Sequence, residues 1–529
     1  MTRNVTGANL IGGTESREGQ STFTSFDPRK GQAATLAFTE ATAAEVERAA
    51  AHAAAAFAGW RSSAPRDRAA FLRRAAELLE AGRDALVTTA DSESGLGAAR
   101  LNGELGRTTG QLRAFADLLD EGSYVEAVIS QADSRATPPP PDVRRMLVPI
   151  GPVAVFTPSN FPLAFGVAGG DSASALAAGC PVVIKGHPSH PATSEICARA
   201  LIAAAQESGA PDGVVSLLQA RSIEIGRALV LASPIQAVAF TGSLAAGRAI
   251  ADLGAARPVP IPVFAEMGSL NPVFIGPGAL AARGDEIADG LAASITLGTG
   301  QFCTKPGLVF VPDDEAGRRF AKAVADRVAA RAAGYMLNPS LCENLDRRLT
   351  HTASLPGIER LTPAGGSDGL ARGGAVLSTS LETFERTPAL REEHFGPVSI
   401  VVHSAPARMA EIAAALHGNL TATIHADESD RDWAAPLAET LAAGAGRIVW
   451  NGFPTGVAVI PAMQHGGPYP ATTAASHTSV GTAAIRRFLR PVAWQNAPDA
   501  MLPEALRDAN PLRIQRLIDG SWTREAVSR

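Results

Sequence analysis

PVAVFTPS (Pro152–Ser159), PVVIKGH (Pro181–His187), GVVSLLQ (Gly213–Gln219) and AVAFTGS (Ala237–Ser243) are four short, valine-rich apolar runs in succession. Stretches of helical spacing separate them, such as ATSEICARALIAAAQESG from Ala192 and IEIGRALVLAS from Ile223. A strand that is apolar throughout is buried on both faces, and helices between such strands predict a parallel, doubly wound sheet. Ligands of such sheets bind beyond the carboxyl ends of the strands. TPSN, KGHPSH and TGS are therefore the candidate lining of a cofactor site.

Working outward, a second alternating region begins near Asn271. It runs through NPVFIG, a helix from about Arg283 to Leu297 and the strand GLVFVPD, and closes with SIVVH, LTATIHA and GRIVWNG. The fold class is α/β: a doubly wound parallel-sheet domain plus a second α/β domain. Upstream, ATAAEVERAAAHAAAAFAGW and APRDRAAFLRRAAELLEAG read as two amphipathic helices, the second with Pro65 near its start. In SYVEAVISQADSRATPPPPDVRRMLVPIG, two strand-like runs flank the stiff turn Thr137–Pro141, as an extended arm or a surface hairpin. The tail from about Gln464 is rich in glycine, proline and threonine, and is expected to turn helical again at EALRDANPLRIQRLI, from Glu504.

At 529 residues the chain is long enough for two or three domains. Apolar residues make up 46% and charged residues 19%, with a formal net charge of -5 and mixed signs along the chain. No basic block is present to neutralise phosphates, so a nucleic-acid partner is not expected. No apolar run approaches the ~18 residues of a membrane span, and MTRNVTGANLIGG has no signal-peptide core. The cytoplasm is the expected location. The four cysteines (Cys180, Cys197, Cys303 and Cys342) show no metal-ligand spacing, and no metal is expected.

The polar residues of interest sit at strand ends and in loops. Gly242 and Ser243 open a helix after AVAFTGS, where free N–H groups and the helix dipole suit a phosphate, although the motif is not GxGxxG. Glu266 in VFAEMGSLNP ends an apolar strand, a costly place for a carboxylate unless it is solvated, paired or functional. Cys303 lies in TGQFCTKPG, a polar loop unlike the usual apolar surroundings of a structural cysteine. A thiol is mostly protonated at neutral pH unless its site helps. Asn160 in SNFPLAFG, and Glu393 and Phe395 in EEHFGP, complete the set. Each residue alone also has a structural reading: a cap, a salt-bridged strand end or a turn.

In this order, SNFP, VVIKGHPSHP, FTGS, EMGS, GQFCTKPG and EEHFGP resemble the aldehyde dehydrogenase superfamily over roughly Asn9 to Leu489. The resemblance implies a nicotinamide-binding domain (1–123 and 151–265), a catalytic domain (266–463), and a small β oligomerisation arm with a C-terminal tail (124–150 and 464–529). By resemblance, Cys303 matches the nucleophile, Glu266 the water-activating base and Asn160 the oxyanion donor. Lys185, His187, Gly242 and Ser243 fall at the cofactor, and Glu393 and Phe395 at its nicotinamide ribose. Glu266 argues against transfer to coenzyme A, which needs no water-activating base. Ser269 stands where the family pattern has a second glycine. Pro188 stands where many NAD-preferring members carry a glutamate for the adenosine ribose. With that carboxylate missing and Arg221 nearby, NADP is the expected cofactor, with NAD tolerated. The tail resembles the subgroup that oxidises 2,5-dioxopentanoate (α-ketoglutarate semialdehyde) to 2-oxoglutarate. That subgroup is itself similar to NADP-dependent fatty aldehyde dehydrogenases. Phe156, Phe165, Gln301, Phe302 and Phe453 are the expected pocket. A fatty or aromatic aldehyde dehydrogenase, or a non-catalytic cofactor-binding protein on the same fold, are the competing readings. A homodimer or homotetramer follows from the family alone.

Overall fold

The computed structural model describes residues 5–363 and 368–528, so the first four residues of the N-terminal stretch read above for a signal lie outside it. Three sheets organise the chain. The first has seven strands in the order Val263–Glu266, Ala237–Thr241, Val153–Phe156, Val182–Gly186, Val215–Gln219, Asn9–Ile11 and Thr14–Ser16. Its five strands from Val153 to Glu266 are mutually parallel, and Asn9–Ile11 joins antiparallel through Leu10 opposite Leu217. Alternation along Val153–Phe156 explains why every position is apolar. Val153 and Val155 face a cluster with Trp60, Phe71 and Phe115, while Ala154 and Phe156 face Val46, Val183 and Leu218. The chain builds outward from Val153–Phe156 in both directions, which opens a crevice at the carboxyl ends beside Phe156 and Thr241.

Of four helices, Ala43–Ser62 packs on this sheet, while Pro65–Ala81, Arg83–Ser94 and Ala98–Glu121 pack on the helices Gly170–Ala178 and Pro191–Glu207 that lie against it. Thr42 and Glu45 form a reciprocal capping box at the first, Pro65 starts the second, and Gly122 in the left-handed region stops the last.

The second sheet also has seven strands: Ile358–Arg360, Ala375–Ser380, Val398–Ser404, Leu308–Pro312, Val273–Ile275, Asn419–His425 and Ala445–Trp450. All but the first are parallel to their neighbours. The helix Pro277–Thr296, kinked at Arg283, leads from its Val273–Ile275 strand into the Cys303 loop.

The proline-rich segment links Val128–Ser130 to Val143–Pro149, and these pair in a five-stranded sheet with Leu489–Gln495, Arg516–Ile518 and Ser521–Thr523. The segment is thus part of an arm shared with the tail. The tail does not turn helical as expected. From Glu504 onward only Glu504–Leu506 forms a helical turn among the described residues; Asn510 and Arg513 have positive φ on either side of Pro511, and the chain resumes as a strand.

Candidate active site

The loop that presents Cys303 is shaped by its backbone. Gly298, Thr299 and Gly300 follow one another with positive φ. A Cβ on Gly300 would lie 2.3 Å from the carbonyl oxygen of Gly396, so this glycine lets the Cys303 loop touch the EEHFGP loop. Thr299 holds the same left-handed conformation with a side chain, a strain of about 1–3 kcal/mol that the surrounding packing must offset. Past the turn, the Asn271 amide donates to the carbonyl oxygens of Cys303 at 2.8 Å and Lys305 at 3.0 Å. Ser269 fixes that amide, since its hydroxyl donates to Asn271 Oδ1 at 2.9 Å and accepts from the N–H of Leu420 at 3.0 Å. The serine that departs from the family pattern is therefore a brace under the cysteine loop.

Asn160, just beyond the carboxyl end of Val153–Phe156, crosses from the first sheet to this loop. Its Nδ2 donates to the carbonyl of Gln301 at 3.0 Å, which places an amide donor beside Cys303. Arg100 holds it there by donating to its backbone oxygen at 2.7 Å. Burial pushes the Cys303 thiol up to about 12; Glu266 adds to the rise and Arg107 opposes it. The neighbour of the sulfur is His465, whose Nε2 lies 3.5 Å from Sγ. Burial and the charges of Arg107, Arg447 and Arg487 pull this imidazole down to about 3, so it is neutral.

Glu266 ends its strand in a backbone bridge to Thr472 and is buried, with Oε2 lacking a partner. Burial raises its carboxyl to about 8; Arg487 opposes this and Asp171 reinforces it. Those two residues form a buried ion pair at 2.8 Å. A carboxylate poised near neutrality, within electrostatic reach of the thiol, has the properties of a general base.

The crevice at the first sheet fits a nicotinamide cofactor. Ser243 caps the helix Leu244–Ala255 by accepting from Ala246 N–H at 3.3 Å, and the first turn beyond it is exposed. Thr241 Oγ1, at the strand end before it, is buried without a partner. Gly242 is held by its N–H to the Glu266 carbonyl at 3.0 Å. Lys185 donates to the Ala220 carbonyl at 2.8 Å, and burial pulls its ammonium down to about 8 against the pull of Glu40. Glu40 accepts from the N–H groups of Arg221 at 3.0 Å and Ser222 at 2.6 Å, while Arg221 is exposed. His187 accepts from Ser189 N–H at 3.1 Å and stacks on His190 at 5.6 Å. At the other end, Glu393 crowds Gly268, where a Cβ would lie 2.4 Å from its Oε2. Burial lifts the Glu393 carboxyl and lowers the nearby Lys305 ammonium, each opposed by the other's charge.

Residues 14–469 match the aldehyde dehydrogenase family. The chain belongs to the aldehyde dehydrogenase family.

It is 47% identical over 521 residues to alpha-ketoglutaric semialdehyde dehydrogenase 2 of Azospirillum brasilense, covering 98% of this chain and 99% of that one. It is 43% identical to alpha-ketoglutaric semialdehyde dehydrogenase of Acinetobacter baylyi, covering 92% and 93%. Among solved structures, aldehyde dehydrogenase C of Pseudomonas syringae, in complex with NAD+ and octanal, aligns with a TM-score of 0.79 at 21% identity. It covers 92% of this chain and 96% of that one. The architecture described above is thus the aldehyde dehydrogenase fold, and the protein is a nicotinamide-dependent aldehyde dehydrogenase.

In this aldehyde dehydrogenase the expected pocket residues separate. Phe165 and Phe302 meet, with Phe161 between them, in a small apolar cluster that includes Val480 and, at its edge, Val457, Val459 and Met463. Phe156 is placed elsewhere. It points into the core under the cofactor crevice, against Phe240 at 6.3 Å, because strand alternation turns it away from Val155's face. Phe453 fills the space left by Gly290 on the helix Pro277–Thr296 and packs on His425 at 5.2 Å. Gln301 is buried and turned to the backbone; its side chain donates to Tyr335 O at 3.1 Å and accepts from Leu337 N–H at 3.0 Å. Phe395 is half-buried beside Glu393.

Sequence reading missed Arg107, Asn271, Lys305, His465 and Glu40. Arg107 had a legible signal, since with Glu104 it puts charge on the same face of a helix as Leu101 and Thr108. His465 and Glu40 lie far along the chain from every motif they approach, and no local pattern marks them.

Proposed function

We propose that this aldehyde dehydrogenase oxidises 2,5-dioxopentanoate to 2-oxoglutarate through a covalent intermediate on Cys303, with water as the final acyl acceptor. The observation that carries the mechanism is the meeting of Cys303, the Asn160 amide and the raised carboxyl of Glu266, from three distant parts of the chain. The substrate rests on the names of the relatives above 40% identity.

In this reading the Cys303 thiol gives its proton to solvent water and, as the thiolate, attacks the aldehyde carbon, forming a thiohemiacetal. The Asn160 amide and the Cys303 backbone N–H take the developing oxyanion, one such donor contributing ~2.7–4 kcal/mol of barrier lowering. When bound, the nicotinamide cofactor supplies the hydride acceptor that turns the thiohemiacetal into a thioester. Glu266 as carboxylate takes a proton from water, which attacks the thioester carbonyl; the acid leaves and the thiol is restored. Lys185, Gly242, Ser243 and His187 would hold the adenosine and phosphate end of the cofactor, and Glu393 and Phe395 its nicotinamide ribose.

NADP is the preferred cofactor in this proposal, because Pro188 removes one carboxylate and exposed Arg221 can reach a 2'-phosphate. Glu40 keeps a negative charge beside Lys185, and this leaves NAD usable. The arm belongs to a homodimer or homotetramer, supported by the outer edge of the strand Leu489–Gln495. A second reading, a fatty or aromatic aldehyde, is favoured by the apolar cluster of Phe161, Phe165 and Phe302. A screen of NADPH formation over 2,5-dioxopentanoate, benzaldehyde and long-chain aldehydes decides between them. The highest kcat/KM is expected for 2,5-dioxopentanoate, and a long-chain optimum contradicts it.

A further inference from the structure

Three arginines surround the pocket at Cys303, and they are not equally engaged. Arg100 is the most engaged: its Nη2 donates to the Asn160 carbonyl and its Nε lies 3.9 Å from the Glu104 carboxylate, which leaves only Nη1 without a partner. Arg107, on the same helix, lies over the rings of Phe165 at 5.2 Å and Phe161 at 5.8 Å. Its Nε and Nη2 are buried and have no hydrogen-bond partner. Arg447 enters from the second sheet. Its two terminal nitrogens donate to the carbonyls of Gly456 at 3.1 Å and Pro454 at 2.5 Å, while its Nε is also buried and unpartnered.

Both Arg107 and Arg447 act electrostatically on Cys303 and on His465. Glu104 is the carboxylate near Arg107, but it is shared with Arg100; its Oε1 is taken by the N–H groups of Leu163 and Ala164, and its buried Oε2 makes no hydrogen bond to either arginine. Glu266, the other acid facing the sulfur, is itself held toward its neutral form by burial. The pocket therefore carries an excess of positive charge next to a neutral thiol and a neutral imidazole.

A buried guanidinium donor without an acceptor is destabilising, and native proteins rarely leave one so. Stacking on Phe161 and Phe165 fixes the plane of Arg107 but gives its N–H groups nothing to donate to. An alkyl tail in the same space would leave those donors unsatisfied. A carboxylate would satisfy them in the paired geometry that guanidinium favours. In 2,5-dioxopentanoate the carboxylate is four C–C bonds from the aldehyde carbon, about 5 Å when extended. Arg107 lies over Phe165, whose ring is 6.3 Å from that of His465, and His465 Nε2 is 3.5 Å from Cys303 Sγ, so the guanidinium and the thiol border the same space.

We infer that Arg107, assisted by Arg447, binds the carboxylate at the far end of the substrate and selects aldehydes that carry that charge. This rests on the reading of 2,5-dioxopentanoate as substrate and assigns the residues that recognise it.

The test compares kcat/KM for 2,5-dioxopentanoate, 5-oxopentanoate and pentanal in the wild-type enzyme, Arg107→Met and Arg107→Lys. The ratio of 2,5-dioxopentanoate to pentanal is expected to fall about 100-fold in Arg107→Met, which is ~2.7 kcal/mol at 1.36 per tenfold. A smaller fall is expected in Arg107→Lys. Equal losses on charged and uncharged aldehydes, or no change in the ratio, overturn the inference. A wild-type preference for 5-oxopentanoate over 2,5-dioxopentanoate, with the same fall in Arg107→Met, contradicts the proposed substrate but upholds the carboxylate site. A readout without turnover accompanies it: 2-oxoglutarate should shield Cys303 from iodoacetamide in the wild-type enzyme and fail to do so in Arg107→Met. Equal shielding in both overturns the inference.

Discussion

Asn271 donates to the carbonyl oxygen of Cys303 at 2.8 Å, and Ser269 holds Asn271 in place by donating to its Oδ1 at 2.9 Å. Ser269, three positions after the end of the Glu266 strand, thus sets the position of the cysteine loop. Ser269→Gly removes a buried hydroxyl, strands the Leu420 N–H and leaves Asn271 Oδ1 with the Thr421 hydroxyl alone. A loss of about 1–3 kcal/mol of stability is expected, with a lower kcat. Urea unfolding and steady-state kinetics check it; an unchanged midpoint and kcat contradict it.

The raised carboxyl of Glu266 gives a pH dependence with a definite sign. The group acts only as the carboxylate, and burial holds its pKa at about 8. The rate of the hydrolytic step should therefore rise with pH through about 8 and level off above it. Asp171→Asn removes a negative neighbour and leaves Arg487, so the inflection should move to lower pH. Profiles of kcat against pH for the two enzymes check this, and an inflection that moves upward contradicts it.

Accessibility, rather than acidity, should decide which thiol reacts. Burial raises Cys180 to about 11, and Cys197 and Cys303 to about 12, so none gains from a depressed pKa. Cys303 is half-buried, whereas Cys180, Cys197 and Cys342 are buried. Limited iodoacetamide labelling followed by peptide mass spectrometry is expected to find Cys303 modified first. Earlier labelling of any other cysteine contradicts the placement of the loop.

Glu40 and Arg221 should act in opposite directions on cofactor choice. Glu40→Gln removes a carboxylate beside Lys185, and the ratio of kcat/KM for NADP over NAD should rise about tenfold, in keeping with a charged contact of 1.5–3 kcal/mol partly screened by solvent. Arg221→Ala should lower the same ratio. A wild-type enzyme with a strong NAD preference that neither substitution shifts contradicts the assignment.

How much of this was legible in the sequence follows the distance over which each feature is encoded. Runs such as Val153–Phe156 and Val182–Gly186 announce strands because burial on both faces leaves no room for polar side chains. The order of Asn160, Glu266 and Cys303 was readable as a pattern. The side on which a side chain falls was not: Phe156 and Phe165 look alike in sequence, and strand parity alone sends Phe156 into the core. The tail misled because Leu502, Leu506 and Ile514 have an apolar rhythm. Pro511 and the positive φ of Asn510 and Arg513 override it. The contacts of His465 with Cys303 and of Glu40 with Arg221 join segments far apart in the chain, and only the packing of the sheets brings them together.

The proposed chemistry separates at one residue, because Glu266 is needed for hydrolysis of the thioester and not for its formation. Glu266→Gln should be mixed with 2,5-dioxopentanoate and NADP in a rapid-mixing experiment, and the Cys303 peptide analysed by mass spectrometry after acid quench. The expected result is a single burst of about one NADPH per active site, little turnover after it, and an acyl group on Cys303. Sustained turnover in Glu266→Gln, or a burst of the same size in Cys303→Ala, would contradict a cysteine-bound thioester hydrolysed by Glu266.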